Sequence, residues 1–155
     1  MVRTQTHATL EDLYKVEGKA ELINGEIIHM APTGDEPGYA SGEIFVNLRA
    51  YVKSTNRGRA YGDGVGFHVH LPHRQSFSPD AAYHIGQRTG MRFPEGAPVF
   101  AVEVRSENDY GPAAERDMAA KRADYFSCGT LVVWDVGLLR EDTIKSYRES
   151  DPGNP

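Results

Sequence analysis

The chain has 155 residues and sets 17 Lys plus Arg against 22 Asp plus Glu, a formal charge of −5. That length holds one compact domain, and a composition of 39% apolar and 25% charged residues supplies a core to bury, which excludes a multidomain machine and wholesale disorder. Asp135 interrupts the greasiest stretch, LVVWDVGLL, the start MVRTQTHATLEDLYK has no apolar leader core, and the single Cys128 excludes an internal disulfide and a Cys-based zinc site; together these predict a cytoplasmic protein without a membrane segment.

Taken in chain order, the first predicted element is a short helix opening at Thr9, with Asp12 three residues on to complete a capping box, and ending near Gly18. AELI and EIIHM flank Asn24-Gly25, the dipeptide that supplies both positive-φ residues of a type I′ hairpin turn. Pro32, Gly34, Pro37 and Gly38 mark a loop, after which Ile44, Leu48, Tyr51 and Val52 recur at helical spacing. From Ala60 to His84 the pattern predicts two strands, near 65 to 70 and 80 to 84. APVFAVEV, residues 97 to 104, is the near-continuous apolar run of a central strand covered on both faces. A helix follows Gly111-Pro112 to about Ser127, capped by Gly129, and TLVVWDV and TIKSYR read as two more strands. The expected order is α-β-β-α-β-β-β-α-β-β, an α+β domain over residues 1 to 148 with a frayed tail at 149 to 155.

The charge is unevenly spread. Residues 1 to 48 sum to −5 and residues 75 to 155 to −4, whereas Arg49, Lys53, Arg57, Arg59 and Arg74 stand against Asp63 alone in a local +4. Such a stretch suits a phosphate backbone or a solvated helix end, and if DNA binds, it should border the acidic site.

Glu103 is the most informative position, a carboxylate inside an apolar strand. Alternation puts Val99, Ala101, Glu103 and Arg105 on one face and Phe100, Val102 and Val104 on the other. Burying that charge requires a cation: Arg105 in a structural ion pair, or a divalent metal with a further oxygen ligand. Asp80, after Pro79 at the mouth of a short strand, is the natural second ligand. Met118, Lys121 and Tyr125 share one helical face, which points Lys121 inward, although Asp117 offers it a surface pair instead.

In order and spacing, ELINGEIIHMAPTG, SGEIFVNLRAYV, GDGVGFHV, SPDAAY, VFAVEVRS and KRADYFSCGTLVVWDV resemble the Uma-type restriction-endonuclease family, abundant in cyanobacteria, over roughly residues 10 to 148. The resemblance implies a PD-(D/E)XK fold, a central mixed sheet flanked by helices and here preceded by the N-terminal helix and hairpin. It implies Asp80 and Glu103 as ligands of Mg²⁺ or Mn²⁺ and Lys121 as the catalytic cation, with Arg105 at the superfamily's usual lysine position. Glu21 matches a recurrent acidic position and becomes a further candidate. Where the family frequently has a histidine, before the second helix, this chain has Ser41. The implied activity is metal-dependent hydrolysis of DNA, with a homodimer expected of a nuclease that cuts both strands.

Two other readings compete. One is a catalytically idle nuclease-fold domain that binds DNA or protein. The other is metal binding by His68 and His70, whose i, i+2 spacing resembles a cupin-type motif, although Arg74 and Gln75 stand where that motif wants a glutamate. Cys128 lacks a visible His-Asp partnering and reads as a structural thiol, and Trp134 as a core or rim aromatic.

Overall fold

In the computed structural model, residues 7–155 are described; the first six, part of the start read above as lacking a leader core, lie outside the described residues. Helix α1 spans Leu10–Tyr14 with Thr9 as its N-cap and the capping box with Asp12 formed in both directions. Strands β1 (Ala20–Ile23) and β2 (Glu26–His29) make the expected hairpin, with Asn24 at φ 52° and Gly25 at φ 70°. Helix α2 runs Asp35–Thr55, so it begins before the predicted loop has ended. Pro37 and Gly38 fall in its first turn, where the missing proline N–H would have had no intrahelical acceptor.

Four strands occupy the stretch where two were expected: β3 (Arg59–Tyr61), β4 (Phe67–Leu71), β5 (Arg74–Phe77) and β6 (Ala81–His84). β3 is three residues long, and β5, RQSF, buries Arg74 and Ser76, so neither shows apolar alternation. Then follow β7 (Phe100–Val104), α3 (Pro112–Ser127), β8 (Val132–Gly137) and β9 (Thr143–Arg148). Residues 149 to 155 are exposed, with Asp151 bridged back to Arg148. Among the described residues no helix is long and apolar enough to cross a membrane.

The strands form two sheets, β2-β1-β5-β4 and β3-β6-β7-β8-β9. β7 is central in the second, and its parallel pairing with β8 through α3 makes that sheet mixed. The predicted alternation along β7 holds. Val102 packs with Ala81 and Val136 against Ile44 and Leu48 of α2, whereas Ala101 packs with Val133, Tyr125 of α3, and Val69 and Phe77 of the other sheet. Each face of the central sheet is thus covered by one helix, and the four-stranded sheet closes over the α3 side.

The chain leaves one sheet for the other at Ser78-Pro79-Asp80, between β5 and β6. Pro79 is fully buried and has no N–H to continue a ladder. Pairing resumes at once, because the Asp80 N–H donates to the Val102 carbonyl at 2.9 Å. This crossing sets an aspartate at the seam of the two sheets.

Phe77 is fully buried and its ring stacks on Tyr125, centroids 3.9 Å apart. Phe77→Ala should cost about 3–5 kcal/mol in urea unfolding, whereas Val46→Ala, at a residue 60% exposed on α2, should stay within about 0.5 kcal/mol. Comparable losses would place the core elsewhere.

Candidate active site

The β6/β7 register brings the two predicted acids together. Ala81 pairs with Val102, so the next step along each strand carries Asp80 and Glu103 to the same end of the sheet. Asp80 is fixed there by its Oδ2, which accepts from the Val104 N–H at 2.6 Å. Both line a cleft of about 380 Å³ with Lys121 and Met118 of α3, the Met30 to Thr33 segment, Pro37 of α2, and Ser106.

Lys121 points inward. Its Nζ lies 2.8 Å from Glu103 Oε1 and 3.1 Å from Glu21 Oε2, with 15% of the side chain exposed, so the surface pairing with Asp117 is not made. The Tyr125 hydroxyl, one helical turn on, donates to the same Glu103 oxygen at 2.7 Å. Glu21 is the wall behind: 3% exposed, it accepts from the Ser78 N–H at 2.6 Å and from Arg74 Nη1 at 3.1 Å.

Two carboxylates thus share one buried ammonium, and they divide it unequally. For Glu21, burial would raise the pKa, but Lys121, Arg74 and the Ser78 N–H outweigh it and hold the carboxyl below its ordinary value. For Glu103 burial prevails over Lys121, and with Asp80 and Glu21 adding like charge it is pushed up to about 7. Burial also works against the Lys121 ammonium, yet Glu103 and Glu21 together keep it charged well past its ordinary range.

Several predicted residues do not pair with Asp80 or Glu103, although Arg105 lines the cleft and Arg74 holds Glu21. Arg105 shares the face of Glu103 but does not pair with it. Its guanidinium grips both oxygens of Asp135, at 2.7 Å each, and reaches Glu115 at 2.5 Å, so its charge is already neutralised. Arg74 is 5% exposed, bound to Glu21 and Asp124 and laid over Phe77, and offers nothing to an external phosphate. Arg49, Lys53, Arg57 and Arg59 are exposed. Arg57 and Arg59 do not border the acids as expected: Arg59 pairs in register with His84, the end of β6 away from Asp80, and the Arg57 carbonyl accepts from the Tyr83 hydroxyl nearby. Ser41 is buried in α2 with its hydroxyl on the Gly38 carbonyl. Cys128 caps α3 half-buried, and burial pushes its thiol up, the opposite of an activated nucleophile. Trp134 meets Phe100 edge-on beside α2.

Sequence reasoning missed Lys19 and Asp63. Lys19 Nζ lies 2.7 Å from Asp80 Oδ1 and 2.7 Å from Asp63 Oδ1, so a second lysine covers the second acid. Burial alone would lower the Lys19 pKa, but Asp80 and Asp63 raise it. The available signal was its spacing two residues before Glu21 at the entry to β1, which sets both side chains on one face.

Residues 8–154 match the model of the Uma2 family, described as "Putative restriction endonuclease". No curated protein matches the chain. Among solved structures, it is similar to a crystal structure from Anabaena variabilis described as "a putative nuclease belonging to DUF820", with 21% identity, a TM-score of 0.69, and 92% of this chain and 80% of that chain covered. At that identity the likeness is one of fold.

Glu103 binds its proton more tightly in the fold than in the unfolded chain. Its contribution to stability is therefore complete below about pH 4.5 and lost as pH rises through about 7. Glu103→Gln, which cannot ionise, should gain stability on the wild type across that window in urea titrations. A difference independent of pH would show that Glu103 titrates normally.

Proposed function

Because the chain belongs to the Uma2 family, we propose that it is a divalent-metal-dependent endonuclease acting on DNA, with Asp80 and Glu103 as metal ligands and Lys121 as the catalytic cation. The observation that carries this reading is the convergence of both acids, from adjacent strands of the central sheet, on one cleft with a buried ammonium against Glu103. The donor set fits a hard cation: carboxylate oxygens from Asp80 and Glu103, with Glu21 behind, suit Mg²⁺ or Mn²⁺. Glu103 fits too, since a carboxyl titrating at about 7 yields its proton readily to a cation near neutral pH.

A bound divalent cation supplies neutralisation of the phosphodiester charge and activation of the attacking water. The chain's own residues do the rest. Asp80 is oriented by the Val104 N–H and Glu103 by the Tyr125 hydroxyl. Lys121 is held protonated by its two carboxylates, so its part is to stabilise charge gathering on the phosphate in the transition state and not to shuttle a proton. Lys19 sits on Asp80 as a stand-in cation; where Asp80 held a divalent cation, Lys19 would keep its pair with Asp63 and stand beside the place of the phosphate. Arg105, with its charge spent on Asp135 and Glu115, braces the end of β7. Cutting both strands of a duplex calls for two copies of the chain, so the reading includes a homodimer, acting in the cytoplasm where DNA is accessible.

Purified protein should cleave plasmid or single-stranded DNA with Mg²⁺ or Mn²⁺, and Asp80→Ala and Glu103→Ala should abolish it. Lys121→Met should lower the rate by about 10²–10³-fold. Equal cleavage by all four proteins would mark a contaminant and sink the assignment, and DNA binding without cleavage in either metal would indicate the idle nuclease-fold domain. At subsaturating metal the cleavage rate should rise as pH increases through about 7, because the Glu103 proton competes with the cation; a flat profile would contradict Glu103 as a ligand.

A further inference from the structure

β4 exposes one face and buries the other. Phe67 and Val69 are in the core, and the strand's period of two therefore turns His68 and His70 outward together. Their rings lie 4.3 Å apart. The carboxylate absent from the neighbouring sequence arrives from a different segment, the loop between β6 and β7.

That loop is seated on β4 by its backbone. The His68 N–H donates to the Pro94 carbonyl at 3.0 Å and the Gly96 N–H donates to the His68 carbonyl at 2.8 Å, so the two bonds flank Glu95 and fix it alongside His68. Gly96 turns the chain at φ +87°, a left-handed conformation that L side chains rarely adopt. His84 contacts the Glu95 carbonyl at 3.1 Å, and the Phe93 ring rests against Tyr14. The result is a carboxylate held on both imidazoles: His68 Nδ1 lies 2.9 Å from Oε2 and His70 Nε2 2.5 Å from Oε1. One ligand atom from each of the three residues falls within 4.8 Å of the others.

We propose that His68, His70 and Glu95 form a second metal site, separate from the acidic cleft and selective for a divalent transition cation such as Zn²⁺ over Mg²⁺. Two nitrogens and one carboxylate oxygen are the donor set that borderline cations prefer, whereas Mg²⁺ takes oxygen. Around a tetrahedral ion with bonds of about 2.0–2.2 Å the ligand atoms stand roughly 3.3–3.6 Å apart, so only small side-chain shifts separate the observed cluster from a coordinated one. As hydrogen bonds alone the contacts would contribute little, because His70 is 70% and Glu95 57% exposed. Bound metal would fasten the 85 to 96 loop to β4 and leave a fourth position open to solvent. The site shares no residue with the cleft, and it stands or falls independently of nuclease activity.

The test is calorimetric titration of chelator-treated, tag-free protein with Zn²⁺ in buffer containing excess Mg²⁺, with thermal unfolding as the second readout. The wild type should bind one Zn²⁺ per chain and unfold at a higher temperature with it. His68→Ala/His70→Ala and the milder Glu95→Gln should lose both effects, and Asp80→Asn/Glu103→Gln should keep both. The proposal is overturned if the wild type binds no Zn²⁺, if the histidine and Glu95→Gln variants bind it as tightly as the wild type, or if the Asp80→Asn/Glu103→Gln protein loses it.

Discussion

The interaction on which the site depends is the sharing of one buried ammonium, that of Lys121, between Glu21 and Glu103. A carboxylate removed from water needs a partner, and removing the partner of a buried charge leaves a large uncompensated penalty. Glu21 has further help from Arg74 and the Ser78 N–H, so it holds its charge, and Glu103, with like charges on Asp80 and Glu21 nearby, is left short of positive charge near neutral pH. The proton that Glu103 retains up to about pH 7 offsets that shortage. At Asp80 the Lys19 ammonium supplies the positive charge directly.

The fold supplies this arrangement through two local decisions. One is the switch between sheets at Ser78-Pro79-Asp80, which spends the Ser78 N–H on Glu21 and the Asp80 N–H on Val102, so that one short segment tethers both sheets to the cluster. The other is the crossover helix α3, which links β7 to β8 and delivers Lys121 and Tyr125 one turn apart. A second set of charges stabilises the neighbouring end of the sheet. Asp135, the register partner of Glu103, takes Arg105 and Arg122, and Arg105 also takes Glu115. The two networks lie side by side on one face without exchanging partners, which is why Arg105 is no substitute for Lys121.

Much of this was legible in the sequence where one signal dominates. Asn24-Gly25 fixed the hairpin, Thr9 and Asp12 the first helix start, Gly111-Pro112 and Gly129 the bounds of α3, and alternation the two faces of β7. The inward Lys121 followed from its helical spacing with Met118 and Tyr125. What sequence concealed was polar burial. β5 looks like a loop because two of its three buried residues are Arg74 and Ser76, whose partners, Glu21, Asp124 and the Leu22 N–H, come from distant segments. For the same reason Arg74 read as a phosphate contact. Glu95 was hidden because its pairing with His68 spans 27 residues, and the spacing of Lys19 from Glu21 gave its face but not its partner Asp80, 61 residues away.

The proposed chemistry requires Asp80 and Glu103 to hold a divalent cation. Diffraction at the manganese edge from crystals equilibrated with Mn²⁺ tests it most directly. An anomalous peak held by Asp80 and Glu103 is expected, with the Lys19 ammonium withdrawn from Asp80. A saturated crystal with no peak there, and with Lys19 still closed on Asp80, would contradict it.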